Sequence, residues 1–351
     1  MPDHATASPR LAANQTHGLV CAHHHLYSAL ARGMPPPPRQ PATFLDILEL
    51  VWWRLDRALD LDLIVWSARL GALEALESGT TAIIDHHSSP NAVDGSLDVI
   101  AEACAEVGVR VSCCYEVTDR NGFDGTKAGL AENDRFLRAG GRGYVGAHAA
   151  FTLSDDSLEQ VVGLATDLGA GVHVHVGEST DDAAAGERWR PHAADGWLLA
   201  HGVHLAAALP GTMVHNPRSN LNNAVGYGRP ARFPRVALGT DGIGADMLEE
   251  ARLAFAMHRA DDVTASPRDA WVWLATGEEL IPEVTADVVT WGYGPMDPSH
   301  LAYSTGVRPM QVEVDGQVVL DRSGCTRVDG AEIRAKAAEA AQRLFTRMES
   351  I

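Results

Sequence analysis

Short apolar runs alternate with amphipathic stretches between about residues 18 and 260 of this 351-residue chain. Near-continuous apolar strands separated by helices are typical of a parallel sheet. Eight such runs predict an α/β protein with a (β/α)8 TIM-like barrel. A doubly wound open sheet is the weaker alternative, because no glycine-rich phosphate loop follows the first run. The eight runs are "GLVCAHHH", "TTAIIDHH", "VRVSCCYE", "GYVGAHA", "GVHVHVGE", "WLLAHGVHL", "TMVHNP" and "RVALGTDG".

The pattern changes after Pro267. "SPRDAWVWLATGEEL" is typical of a helix, and "ADVVTW", "MQVEVDG" and "QVVLDR" are typical of short strands. The last two strands are expected to form a hairpin around Asp315-Gly316. "DGAEIRAKAAEAAQRLFTRM" predicts a closing helix with an aspartate cap. We therefore expect a barrel over residues 17–282, followed by a reduced β-strand segment and a C-terminal helix over residues 283–351.

Composition limits which binding partners and which cellular compartment are expected for this chain. Acidic residues outnumber basic ones, 46 to 28, and the formal net charge is −18. This charge argues against nucleic acid or an anionic membrane as a partner. The five cysteines form no C-x-x-C pair, no apolar run reaches membrane-spanning length, and the N-terminal "MPDHATASPRLAANQ" has no signal-peptide pattern. We expect a cytoplasmic protein.

Polar side chains stand at the carboxyl ends of seven of the eight predicted strands. In a barrel these ends meet at one mouth, where active sites lie. A single such residue has little weight, but the coincidence across seven strands predicts an active site there. The residues are His23, His25, Asp85, His86, His87, His148, His175, Glu178, His201, His215, Asn216 and Asp241.

The His-x-His pattern of His23 and His25 predicts two metal ligands. Side chains on a strand alternate with period two, so both rings face one side and His24 faces the other. His175 and Asp241 complete a set of nitrogen and carboxylate ligands that suits zinc, and iron as well. A single buried histidine is more often a hydrogen-bonded core residue, but the four residues together favour one divalent metal ion.

Three residues are predicted to carry catalysis. Glu178 follows His175 by three positions and can move protons between water and substrate. Its alternative role is that of an acidic residue in the first turn of a helix. Asp241 is expected to accept the proton of the attacking water, and His201 to orient that water. His204, three residues further on, is interpreted as structural.

Further residues are predicted near the substrate or behind the metal ligands. Trp52 and Trp53 could stack on a heteroaromatic ring, although a helix packed on the barrel explains this pair more simply. Asp85, His86 and His87 are expected to support the metal ligands. The predicted substrate contacts are His148, Asn216, Arg218, Asn220, Trp53 and Arg120.

The ordered set His-x-His, His-x-x-Glu, "AHGVHL", "HNPRSN" and "LGTDG" resembles the amidohydrolase superfamily. Its branch of deaminases and chlorohydrolases is most similar, and "CAHHHLYSALARGM", "TDRNG" and "VHNPRSNLNNAVGY" resemble the SsnA group of aminohydrolases. The resemblance implies one metal ion on His23, His25, His175 and Asp241, Glu178 as proton shuttle, His201 on the water, and a homodimer. Two-metal members carry a modified lysine at the end of strand four, where this chain has Ala147-His148.

The chain departs from this family pattern in the segments that flank the barrel. Only about 17 residues precede the first barrel strand, and "GEELIPEVTADVV" is shorter than the corresponding family segment. We therefore expect a β-sandwich remnant beside an intact barrel mouth. The expected activity is hydrolytic deamination of an amino-substituted N-heterocycle. The alternatives are hydrolysis of another C–N or C–Cl bond, and a trimmed relative with a biosynthetic, non-hydrolytic or binding role.

Overall fold

The computed structural model describes residues 9–351, and the predicted strands are present in it. The prediction that no leader is present rests partly on residues 1–8, which lie outside the described range. The strands of residues 9–351 are β1 Gln15–Thr16, β2 Leu19–His24, β3 Thr80–His87, β4 Arg110–Tyr115, β5 Val145–Ala149, β6 Val172–Val176, β7 Leu198–His201, β8 Thr212–His215, β9 Val236–Leu238, β10 Val288–Trp291, β11 Pro309–Val314, β12 Gln317–Asp321 and β13 Gly324–Cys325.

Strands β2 to β9 are parallel and follow one another around a barrel. Backbone ladders join β2–β3–β4 and β5–β6–β7–β8–β9. Isolated bridges close the two gaps, from Cys113 to Gly143 and from His24 to Asp241. The predicted (β/α)8 barrel is therefore confirmed.

Helices follow most of the barrel strands and cover the outside of the barrel. The α-helices within residues 9–351 are α1 Phe44–Ile47, α2 Trp53–Ala58, α3 Leu61–Leu76, α4 Ser96–Val107, α5 Gly122–Arg138, α6 Asp155–Leu168, α7 Ala185–Trp189, α8 Pro217–Asn222, α9 Met247–Asp261, α10 Pro267–Ala275, α11 Gly277–Leu280, α12 His300–Tyr303 and α13 Gly330–Glu349. A π-helical turn, Leu48–Trp52, links α1 to α2. Side-chain caps start several of the longer helices, as at Asp60 before α3 and Asp329 before α13.

A small antiparallel sheet lies beside the barrel. Its order is β1-β10-β11-β12-β13. The predicted hairpin is present, since β11 and β12 are joined through Asp315 and Gly316, both at positive φ. Gln15 and Thr16 pair with β10, so this sheet also takes a strand from the segment before the barrel. Within residues 9–351, every helix is too short or too polar to cross a bilayer.

A bulge in the first barrel strand places the histidines. Val20 and Ala22 pack with the apolar residues inside the barrel, whereas Cys21 packs in the outer layer. The register of β2 against β3 slips between Cys21 and His24, where β2 gains one residue. Such a bulge re-aims the side chains that follow it. His23 therefore faces the barrel interior directly after Ala22, and His24 turns outward to Thr240, 3.0 Å from Nδ1 to Oγ1.

Candidate active site

Four side chains converge at the carboxyl end of the barrel. One ligand atom from each of His23, His25, His175 and Asp241 lies within 4.8 Å of every other. Nε2 of His25 is 2.9 Å from Oδ1 of Asp241, and Nε2 of His23 is 3.5 Å from the same oxygen. Nε2 of His175 lies 3.3 Å from Nε2 of His25. The structure thus brings together the four residues that were predicted as metal ligands.

The Nδ1 atoms of these histidines are all engaged away from the centre of the group. Nδ1 of His25 donates to the carbonyl of His86 at 2.5 Å, and Nδ1 of His175 donates to the carbonyl of His148 at 2.8 Å. Nδ1 of His23 lies 2.8 Å from Nε2 of His173. With the proton on Nδ1, each ring presents a free Nε2 lone pair inward, as a metal ligand must.

The group fits a divalent cation. Nε2 of His23 and Nε2 of His201 are buried polar atoms without a hydrogen-bond partner among residues 9–351. Burial holds the pKa of His23 and of His175 well below the usual range, which keeps both rings neutral. Three imidazoles that direct Nε2 inward and one carboxylate are a donor set that suits zinc or iron.

The predicted catalytic residues adjoin this group. Glu178, His201 and Asp241 form a second convergent cluster, with 3.7 Å between Nε2 of His201 and Oε2 of Glu178. Burial raises the pKa of Glu178 to about 7. Burial would also raise the pKa of Asp241, but its close contacts with His23 and His25 outweigh burial and hold that pKa well below its usual range. Near neutral pH, Glu178 can therefore give or take a proton while Asp241 stays ionised.

A cavity opens above the group formed by the three histidines and Asp241. His25, His175, Glu178 and Asp241 line it on the side of the metal ligands. The predicted substrate contacts His148, Trp53 and Arg120 also line it. Its other lining residues are Tyr27, Ser28, Leu48, Trp52, Glu116, Ser219, Asn222, Asn223, Gly242 and Ile243.

One wall of the cavity is a buried ion-pair network. Arg120 lies 4.8 Å over the ring of Trp53 and donates from Nη2 to Asp56 at 2.8 Å and to Glu116 at 2.5 Å. Burial raises the pKa of Asp56 to about 6. Burial acts in the same direction on Glu116, but the attraction of His148 and Arg120 outweighs it and lowers the pKa of Glu116 to about 2.

Three predicted substrate contacts, Asn216, Arg218 and Asn220, lie outside the cavity lining. Oδ1 of Asn220 lies 2.8 Å from Nδ1 of His201, and Nδ2 of Asn216 lies 3.5 Å from the same nitrogen. Arg218 is held away from the cavity because its backbone N–H and its Nε donate to the buried Glu250. The short helix α8 turns Asn216 and Asn220 beneath the histidine and presents Ser219, Asn222 and Asn223 to the cavity instead.

Two of the three residues predicted to support the metal ligands, Asp85 and His86, contact the segment that carries His25. Besides His86, Asp85 supports this region: its Oδ1 accepts the N–H of Leu26 at 2.6 Å, directly after His25. Nε2 of His87 lies 2.8 Å from Oγ of Ser89, farther from the ligands. His204, interpreted as structural, meets the carbonyl of Val225 at 2.9 Å.

Sequence reasoning missed several residues of the site. His173 precedes His175 by two positions, so the alternation used for His23 and His25 would have found it. Glu116 ends the predicted run "VRVSCCYE" and was identifiable by the same strand-end argument. Ser219, which donates its hydroxyl to Oδ2 of Asp241, and Asn223 carried no signal, because only the fold of α8 brings them to the cavity.

Fold and site together define a (β/α)8 barrel whose mouth holds three histidines and an aspartate that fit a metal ion. The sequence model of the amidohydrolase family matches residues 16–273. The 5'-deoxyadenosine deaminase of Methanopyrus kandleri is 30% identical, over 93% of this chain and 86% of its own. The 5-methylthioadenosine/S-adenosylhomocysteine deaminase of Desulforudis audaxviator is 29% identical, over 94% of this chain and 86% of its own. The chain belongs to the amidohydrolase family.

The solved structures agree on the fold. An adenosine deaminase from Xanthomonas campestris with bound zinc superposes with a TM-score of 0.79 at 22% identity, covering 95% of this chain and 86% of that one. The predicted superfamily and the predicted enzyme class, a hydrolase acting on carbon–nitrogen bonds, are confirmed.

Proposed function

We propose that this protein is a zinc-dependent hydrolytic deaminase of 6-aminopurine nucleosides. The observation that carries the proposal is the convergence of Glu178, His201 and Asp241 beside the three histidine ligands, on one side of the cavity. The names of the relatives support the substrate class, because both curated proteins described above are deaminases of adenine-containing nucleosides.

In this proposal His23, His25, His175 and Asp241 hold one zinc ion. A zinc ion bound to such ligands lowers the pKa of a coordinated water toward neutrality. Asp241 accepts a proton from the attacking water, and Nε2 of His201 orients that water. The ionised state of Asp241 and the free lone pair on His201 support these roles.

Glu178 is assigned the proton transfers to the substrate. It protonates the ring nitrogen next to the amine-bearing carbon, and then the departing amine. The oxygen of water becomes bonded to that carbon, its C–N bond breaks, and ammonia leaves. A pKa of about 7 supports this role, because both protonation states of Glu178 are populated near neutral pH.

The cavity wall is assigned to the purine and the sugar. Trp53, with Arg120 stacked on one face, offers an aromatic surface for the base. His148 stands between this wall and the ligands, with ring centroids 6.2 Å from Trp53 and 5.5 Å from His175. Glu116 offers a carboxylate acceptor for hydroxyl groups.

The experiment measures ammonia release by the zinc-loaded protein from adenosine, 5'-deoxyadenosine, methylthioadenosine and S-adenosylhomocysteine. Glu178→Gln should lower kcat by about 10²–10⁴-fold while retaining zinc, because only the proton shuttle is removed. Glu187→Gln, on the exposed face of α7, is the matched control and should match wild type.

Two outcomes contradict the proposal. One is absence of ammonia release from every aminopurine by a protein that holds one equivalent of zinc. The other is full activity of Glu178→Gln. Cleavage of an amide or a chloro-arene by the same preparation would favour the hydrolase alternative instead.

We also propose a domain division, a cellular location and an oligomeric state for this protein. The division into a barrel over residues 17–282 and a smaller unit over residues 283–351 is supported by the separate antiparallel sheet. A cytoplasmic location is supported by five cysteines that are all unpaired. The proposed homodimer rests on the family resemblance, and light scattering coupled to size-exclusion chromatography tests it.

A further inference from the structure

His23 differs from the other two histidine ligands in what its outer nitrogen contacts. His25 and His175 donate from Nδ1 to backbone carbonyls, which no side-chain substitution removes. Nδ1 of His23 instead meets a side chain, Nε2 of His173, at 2.8 Å. The orientation of His23 therefore depends on the identity of one other residue.

We propose that His173 is a positioning residue of the metal centre, which holds His23 in the tautomer and orientation that bind the ion. The inference rests on the metal centre of the proposed function. His173 is itself buried, and it lies outside the cavity lining, so it acts through His23 and not on the substrate.

The direction of each hydrogen bond follows from counting protons. A neutral imidazole carries one N–H and one lone pair. If Nε2 of His23 gives its lone pair to a metal ion, Nδ1 carries the hydrogen and must donate it. Nε2 of His173 must then be an acceptor, which places the hydrogen of His173 on its Nδ1.

The chain continues to a backbone carbonyl. Nδ1 of His173 lies 3.6 Å from Sγ of Cys114, and Sγ of Cys114 lies 3.6 Å from the carbonyl oxygen of Asp85. A thiol is a weak donor and a weak acceptor, so Cys114 can accept from His173 and donate to Asp85. Each hydrogen bond in the series from His23 to Asp85 then donates toward Asp85, and every group in the series can be neutral.

The surrounding packing leaves His173 little freedom. Its ring lies 4.9 Å from the ring of His23 and 4.8 Å from that of His86, both edge to face. Its carbonyl also lies 3.3 Å from Nε2 of His86, whose own carbonyl accepts from His25. His23 and His25 are thus supported by neighbouring parts of one buried network.

The test compares His173→Leu with His173→Gln. Leucine fills space without an acceptor, whereas Oε1 of glutamine can accept the N–H of His23. We expect His173→Leu to bind zinc about 10–100-fold more weakly than wild type, as is typical when a partner of a metal-bound histidine is lost. His173→Gln should recover most of this affinity. His258→Leu, which removes a buried histidine of α9 outside the ligand group, is the matched control and should bind zinc as wild type does.

Zinc affinity is measured by competition with a chromophoric chelator, and the visible spectrum of the cobalt-substituted protein reports the geometry of the site. Neither measurement depends on turnover. We expect an altered cobalt spectrum for His173→Leu and a nearly native one for His173→Gln. Circular dichroism identifies any variant that fails to fold, and Cys114→Ala against Cys114→Ser then repeats the test one step further along the series. There the serine variant should hold zinc more tightly than the alanine variant.

The outcomes distinguish an error in the proposed metal centre from an error in the role of His173. If wild type takes up no zinc, the proposed metal centre is wrong. If wild type binds zinc and His173→Leu binds it equally well, only the role of His173 is wrong. Equal loss of affinity in the leucine and glutamine variants, or equal affinity in the alanine and serine variants of Cys114, would also overturn that role.

Discussion

Oδ1 of Asn220 lies 2.8 Å from Nδ1 of His201. This contact directs the other ring nitrogen, Nε2, toward Glu178 and Asp241. The backbone of His201 is in the left-handed region, with φ of 75°. Such a conformation is unfavourable for a residue with a Cβ and is retained where the surroundings impose it. Nε2 of His201 consequently faces Glu178, 3.7 Å away.

We expect Asn220→Ala to lower kcat by about 10–100-fold with little change in KM, because the ring of His201 loses its orientation while the cavity wall is unchanged. Steady-state kinetics with the aminopurine nucleosides check this. Asn220→Asp keeps an acceptor but adds a charge, so it should retain more activity and shift the pH profile upward. A rise in KM alone would instead support the original prediction of a substrate contact. Asn91→Ala, on the surface, is the control.

Trp53 tests the assignment of the cavity wall. We expect Trp53→Leu to raise KM by about fivefold with a smaller effect on kcat, because an aromatic contact of about 1 kcal/mol is lost away from the reacting bond. The measurement is the dependence of ammonia release on nucleoside concentration. Trp66→Leu removes another tryptophan that stacks with an arginine, Arg69, outside the cavity, and it should leave KM unchanged. An unaltered KM in Trp53→Leu would contradict stacking.

Arg120 neutralises two buried carboxylates. We expect Arg120→Met to lower the free energy of unfolding by about 3–5 kcal/mol, because Asp56 and Glu116 would remain buried without their cation. Chemical denaturation checks this. Arg229→Met breaks an exposed pair with Asp261, and we expect it to change the free energy of unfolding much less than Arg120→Met does. A similar loss of unfolding free energy in the two variants would show that burial does not strengthen the ion pairs of Arg120.

Asp182 makes stability depend on pH. Burial raises its pKa to about 7, above the value of about 3.9 in an unfolded chain, so the folded protein binds the additional proton between these values. The stabilising contribution is therefore present in full below pH 4 and is lost as the pH rises through 7. Asp182→Asn should reduce the fall in unfolding free energy between pH 5 and pH 8, measured by denaturation at several pH values. Asp181→Asn, an exposed neighbour, should leave that slope unchanged, and a wild-type slope in Asp182→Asn would contradict the pKa shift.

The barrel could be predicted because its information is local and repeated. Seven of the eight apolar runs were predicted to end in polar residues, and parallel strands bring those ends together whatever the loops do. The helix cap at Asp329 and the hairpin at Asp315-Gly316 depend on neighbouring residues alone, and both are present. The small sheet was harder to predict, since β1 and β10 are about 270 residues apart in the chain.

The support of the site could not be predicted, because it depends on contacts between elements. Asn220 was expected at the substrate from its place after β8. The tight turn into α8 places it under His201 instead, and it brings Ser219 to Asp241. Those distances exist only once β7, β8 and the loop after β9 are packed.

The sequence by itself determined that His23 and His25 share a face and that His24 does not, because strand periodicity is a property of the backbone. Tertiary structure alone decided which face points into the barrel. Continuing the alternation from Val20 and Ala22 would have placed His24 inside. The extra residue where β2 pairs with β3 reverses this phase, and a bulge of that kind is defined by two strands that are about 60 residues apart.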